Sequence, residues 1–145
     1  MNAVVIDAST ALAWCFPDEA SDYADNVLVA LEGKSVLVPA VWSLEVANAI
    51  LVGERRKRLG GPEIRRFMSL LENLPFAPDT QGVGEQVSNV LPLARDHGLS
   101  AYDASYLELS LRRRAPLATL DGKLRTSAHK AGVAIFAPAN PTSRR

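Results

Sequence analysis

At 145 residues, 48% hydrophobic and 22% charged, the chain has the composition of one globular domain whose core needs no disulfide staples. Its single cysteine, Cys15, excludes an intramolecular disulfide and suits a reducing compartment. A formal net charge of zero argues against binding polyanions through the bulk field, and no apolar run is long enough to span a bilayer. No basic stretch followed by an apolar one opens the sequence, so no signal peptide is expected and the cytoplasm is the expected location.

The charge is unevenly placed. Up to residue 50 the only base is Lys34, against seven acids. Later come Arg55, Arg56, Lys57 and Arg58, then Arg65 and Arg66, then Arg112, Arg113 and Arg114. Such clusters are usually solvated helix faces, but they also permit local phosphate contacts.

Val4-Val5-Ile6 reads as a strand buried on both faces, and Asp7 falls at its C-terminal end. In open α/β sheets that edge is where ligands bind. Asp7 has a plain role as a helix cap and a chemical one as a metal ligand or catalytic acid; Ser9 or Thr10 can also cap there. A short helix should then run through Trp14 and stop before Pro17. Trp14-Cys15-Phe16 is an apolar knot, for core or interface. A second helix is predicted from about Glu19 to Glu32, capped by Asp18 and stopped by Gly33.

Val36-Leu37-Val38 is a second buried strand, and a third helix should run from about Val41 to Arg58. Its start is apolar nearly all round, with Glu45 in that surface. Glutamate is almost never buried unpaired, and Asn48, one turn on, is a candidate partner. Gly60-Gly61-Pro62 breaks the chain before a fourth helix at about Glu63–Asn73. Pro75 to Pro78 is too proline-rich for more than a short edge strand. Asp79 or Thr80 should cap a fifth helix ending near His97-Gly98, kinked or split at Pro92. Ser100 and Asp103 form a near capping box opening a sixth helix, closed by Arg112 to Arg114. Pro116 to Leu120 is a strand, Asp121 caps a last helix at about Lys123–Lys130, and Gly132 to Phe136 is a final strand. The domain is placed at 1–137, with 138–145 as a flexible tail.

This alternation predicts a three-layer α/β/α sandwich with a mainly parallel central sheet. Asp7 and Asp121 then lie on the strand C-terminal edge, and Glu45 and Asp103 in first turns of helices facing it. Four carboxylates in one cleft repel unless a divalent cation joins them, and oxygen-only ligation selects Mg²⁺ or Mn²⁺ over zinc.

The stretches Val5-Ile6-Asp7-Ala8-Ser9, Glu45-Val46-Ala47-Asn48-Ala49, Leu99-Ser100-Ala101-Tyr102-Asp103-Ala104 and Ala118-Thr119-Leu120-Asp121, in this order, resemble the PIN-domain ribonucleases that serve as toxins of bacterial VapBC pairs. The resemblance implies an acidic site of Asp7, Glu45, Asp103 and Asp121, with Ser9 and Thr119 in support. It implies Mg²⁺ or Mn²⁺ held by Asp7, Asp103 and Asp121, and RNA cleavage leaving a 5′-phosphate and a 3′-hydroxyl. An antitoxin partner and a homodimer joined through the early helices are also expected. The Arg55–Arg58 and Arg112–Arg114 clusters are the candidate RNA contacts. The alternatives are a catalytically silent module whose acidic pocket holds a partner's basic residue, and a metal-dependent phosphatase or DNA nuclease.

Overall fold

The computed structural model describes residues 2–139. The strands are β1 (Ala3–Ile6), β2 (Ser35–Val38), β3 (Phe76–Pro78) and β4 (Leu117–Ala118), in the order β3-β2-β1-β4 and parallel throughout. Val5 lies opposite both Leu37 and Leu117. Val4, Val5, Ile6, Val36, Leu37, Leu117 and Ala118 are buried, as a sheet covered on both faces requires. The helices are α1 (Ala8–Cys15), α2 (Asp22–Ala30), α3 (Trp42–Arg55), α4 (Gly61–Glu72), α5 (Val83–His97), α6 (Ala101–Arg113) and α7 (Gly122–Ala131). None is long and apolar enough to cross a membrane among the described residues.

The strand order explains the layers. From β1 to β2 to β3 the chain steps one way along the sheet, through α1 to α4. From β3 it returns past β1 to β4 through α5 and α6. With right-handed crossovers, opposite steps put their helices on opposite faces. The packing agrees: α1 contacts α2, α3 and α4, while α6 contacts α5, α7 and the sheet. The direction therefore reverses between β1 and β4, and ligands of open α/β sheets bind in the crevice at such a reversal. Asp7 and the Thr119–Asp121 loop lie there.

Several local expectations are corrected, mostly because a distant partner competes for the capping residue. Residues Pro17–Glu19 form a 3₁₀ turn, and α2 starts at Asp22 with Ser21, not Asp18, as its cap. Asp18 and Glu19 instead bind Arg58. Helix α3 stops at Arg55 because Lys57 turns left-handed, with φ 59°. Helix α5 starts at Val83, not after Asp79 or Thr80, because Arg112 holds the Asp79 carboxylate. It runs unbroken through Pro92 to a left-handed Gly98, so the expected split is absent. The predicted final strand, Gly132 to Phe136, reduces to one parallel bridge between Leu117 and Ile135, since β4 offers only two residues to pair with.

Trp14-Cys15-Phe16 belongs to the core. Phe16 is clamped between α3 and the Arg58 guanidinium, which lies 4.3 Å from its ring centroid. A Cβ at Gly53 would come within 2.6 Å of that ring, so α3 passes closer than any other residue allows. Of the expected tail, residues 140–145 lie outside the described residues.

Candidate active site

Asp7 ends β1 and caps α1, accepting the Thr10 N–H at 3.1 Å. Its plain role is therefore real, but it does not account for the rest of the cradle. The Ser9 hydroxyl donates to the carboxylate at 2.8 Å, and those of Thr10 and Thr119 also donate to it. Two of these donors are themselves held from β4–α7. Ser9 Oγ accepts the Leu120 N–H at 3.0 Å, and Thr119 Oγ1 accepts the Asp121 N–H at 3.0 Å. Each hydroxyl thus has its own proton free to aim at Asp7. The carboxylate is only 4% exposed, and burial pushes its pKa above the ordinary value despite these donors.

Glu45, in the first turn of α3, is half-buried. Its partner is not Asn48, which is exposed and makes no hydrogen bond to it. The donor is the Tyr106 hydroxyl, from α6. Burial raises the Glu45 pKa, and the charges of Asp103 and Asp7 raise it further. Tyr106, buried beside two carboxylates, has its own pKa pushed up. It lies one turn on from Asp103 along α6, on the same side. A tyrosine in an apolar stripe at that spacing was the available signal, because a buried Tyr hydroxyl seeks a partner.

Asp103 sits in the first turn of α6, whose cap Ser100 accepts the Asp103 N–H. Burial and then the Asp121 charge raise its pKa, while Lys123 lowers it. Asp121 caps α7 as predicted, accepting the Lys123 and Leu124 N–H groups. The four acids thus share one electrostatic neighbourhood at the sheet edge. It is not free of cations: Lys123 faces Asp103, and Arg125 lies close by on the same helix.

Two of the arginines expected to contact RNA are engaged within the protein. Arg58 is tied to Asp18 and Glu19, and Arg112 to Asp79 and Glu108. Among the described residues α1 and α2 expose one large hydrophobic side chain, Val29, while α3 exposes Leu44 and Leu51 and contributes to a wider apolar patch. This patch lies beside the site, in a groove of about 430 Å³ lined by Val41, Leu44, Val87, Leu91 and Tyr102. Leu44 and Tyr102 are 71% and 61% exposed and adjoin Glu45 and Asp103 in sequence.

Among the described residues no three His, Cys, Asp or Glu side chains form a ready metal cage. The donor set still suits one kind of ion. It is all hard oxygen, and Mg²⁺ commonly keeps several waters and takes one or two carboxylates plus substrate phosphate.

The raised pKa values of Asp7, Glu45 and Asp103 have a testable consequence. Unfolded, these groups ionise near pH 4. Between that value and their higher folded values the native chain carries more protons, so stability rises as pH falls through this window. Asp18, held low by Arg58, acts oppositely but only below its ordinary value. The metal-free protein is therefore expected to melt higher at about pH 5 than at about pH 8. Mg²⁺ or Mn²⁺ should raise the midpoint more at the higher pH. Equal metal-induced shifts at both pH values, by scanning calorimetry, would remove these carboxylates as the binding groups.

Comparison with known proteins agrees with this geometry. Residues 4–130 match the PIN domain family. The chain is 30% identical over 121 residues to Ribonuclease VapC3 of Pyrobaculum aerophilum, covering 83% of this chain and 91% of that protein. Among solved structures it resembles PAE2754 from Pyrobaculum aerophilum, with TM-score 0.66 and 22% identity over 86% of this chain and 78% of that one. It also resembles FitAcB from Neisseria gonorrhoeae, with TM-score 0.58 and 18% identity over 93% and 97% of the two chains. The two structures share the fold, and the sequence match carries the family: this chain belongs to the PIN-domain family, among its VapC-type members.

Proposed function

We propose that the chain is a Mg²⁺-dependent endoribonuclease, the toxin of a type II toxin–antitoxin pair, acting through Asp7, Glu45, Asp103 and Asp121. The observation that carries this is the buried Asp7 carboxylate, held by hydroxyls at the sheet's reversal point, with Glu45 linking its charge to that of Asp103, and Asp103 in turn feeling Asp121. Asp7, Asp103 and Asp121 would hold Mg²⁺ or Mn²⁺. When bound, the ion supplies a lower pKa for water and neutralises charge on the phosphate. Hydrolysis joins a water oxygen to phosphorus and breaks the bond to the 3′ oxygen, so one proton leaves the water and one reaches the departing oxygen. Glu45 suits the first transfer. Tyr106 fixes one of its oxygens, and its raised pKa brings it towards working pH. Ser9 and Thr119 orient Asp7 through their hydroxyls.

Purified protein is expected to cut a cellular RNA pool with Mg²⁺ or Mn²⁺ and to stop with EDTA, leaving 5′-phosphate and 3′-hydroxyl ends. Parallel incubations with single- and double-stranded DNA separate the DNA-nuclease alternative. Cutting that ignores EDTA would overturn the mechanism. Absence of both cutting and metal binding would leave the silent binding module, whose acids hold a partner's basic side chain.

The VapC relative supports an antitoxin partner, which would place Arg or Lys among the four acids. We also propose a homodimer, with the apolar groove of α3, α5 and α6 as the shared face. Light scattering should give twice the 15.6 kDa chain mass, falling to one chain in Leu44→Glu. A wild-type monomer at working concentration would remove the dimer.

A further inference from the structure

We infer that Arg125 grips a backbone phosphate of the RNA on the α7 side of the acidic site, an inference that rests on the ribonuclease reading above. A polyanion approaching four carboxylates needs a local cation, and the arginines bound to Asp18, Glu19, Asp79 and Glu108 cannot supply it without breaking ion pairs. Arg125 is differently placed. Its Nε–H donates to the Thr119 carbonyl at 2.9 Å, the residue whose hydroxyl holds Asp7. Its guanidinium lies 4.7 Å from the Tyr23 ring centroid, and that ring is itself fixed by the Tyr23 hydroxyl donating to the Phe136 carbonyl at 2.8 Å. The side chain is therefore oriented before any ligand arrives.

What remains is the outer edge of the fork. Neither terminal nitrogen has a hydrogen-bond or ion-pair partner among the described residues. Nor is either buried: the buried side-chain nitrogens and oxygens without partners are Trp42 Nε1 and Ser110 Oγ. Two parallel N–H donors on a planar, stacked cation match two oxygens of one phosphate. Tyr23 lies within the fields of both Arg125 and Asp7. Lys123 is the other cation here, but its charge is already set against Asp103.

The test uses a short single-stranded RNA that the wild-type protein cuts. In active protein Arg125→Gln is expected to raise KM about tenfold, ~1.4 kcal/mol, with kcat within about twofold. In the Asp7→Asn background, where the RNA stays intact, the same change should lower the slope of log affinity against log salt by about 0.7. With Asp7 in place, Arg125→Gln should leave metal affinity and the thermal midpoint unchanged. A residue that only ties Thr119 down would move the midpoint and leave the salt slope alone. Arg125→Lys keeps the charge and loses the fork, so it should keep the slope and lose about threefold in affinity; it decides the matter if the glutamine variant unfolds. Wild-type KM and slope in both variants of a protein that cuts RNA would overturn the inference alone. A wild-type protein that neither binds nor cuts RNA would overturn it together with the ribonuclease reading.

Discussion

Asp7→Asn is expected to lower the rate of RNA cleavage by about 10³-fold or more, with the fold intact. The substitution keeps the shape of the side chain and removes its charge. The Thr10 N–H can still reach the amide oxygen, and Ser9 and Thr119 can rotate their hydroxyls to suit, because Leu120 and Asp121 hold the oxygens rather than the protons. Stability should change little, or rise, since burial already disfavours the ionised form. Lost metal affinity together with lost activity, at a thermal midpoint unchanged or higher, is the full expected result. Cleavage undiminished in a pure mutant would remove Asp7 from the chemistry and leave it as a helix cap.

The second large effect is structural. Arg112→Ala is expected to cost about 3 kcal/mol of stability, which in a chain of this size is a midpoint drop of roughly 6–12 °C. Arg112 binds Asp79 at 2.6 Å and Glu108 at 2.8 Å, and those two side chains are only 9% and 8% exposed. Gln81 donates to both acids and accepts from Asn89, which joins the α5 entry to α6. Removing the arginine strands two carboxylates that water barely reaches. Adding Asp79→Asn and Glu108→Gln to the variant should recover much of the loss. A midpoint unchanged in Arg112→Ala would show the network to be solvent-screened, and would return Arg112 to the list of candidate RNA contacts.

The sequence was most legible where structure is local or two-sided. Val4 to Ile6 and Val36 to Val38 could only be buried strands, and the acids just past β1 and β4 followed from chain order alone. It was least legible where one side chain chooses between a near and a distant partner. Asp18 and Asp79 both look like helix caps, and both are taken by arginines 40 and 33 residues away. Glu45 had a neighbour at helical spacing, Asn48, yet Tyr106, 61 residues on, holds it. Hydrogen-bond competition of this kind is settled by tertiary packing, which no local pattern records. The shortness of β4 was hidden for the same reason: its apolar run is longer than the stretch that finds a strand to pair with.

The hydroxyl that holds Asp7 comes from Thr119, 112 positions later in the chain, and its carrier strand docks directly on β1. During synthesis, then, Asp7, Glu45 and Asp103 leave the ribosome well before the piece that brings them into order. A nascent chain, or one cut short before Thr119, has three of the four acids and the Ser9 and Thr10 donors, but lacks the Thr119 hydroxyl and the strand that docks beside Asp7. Closing a contact of such long sequence separation also costs loop entropy, which slows folding. A chain arranged this way completes its acidic edge only near the end of its synthesis.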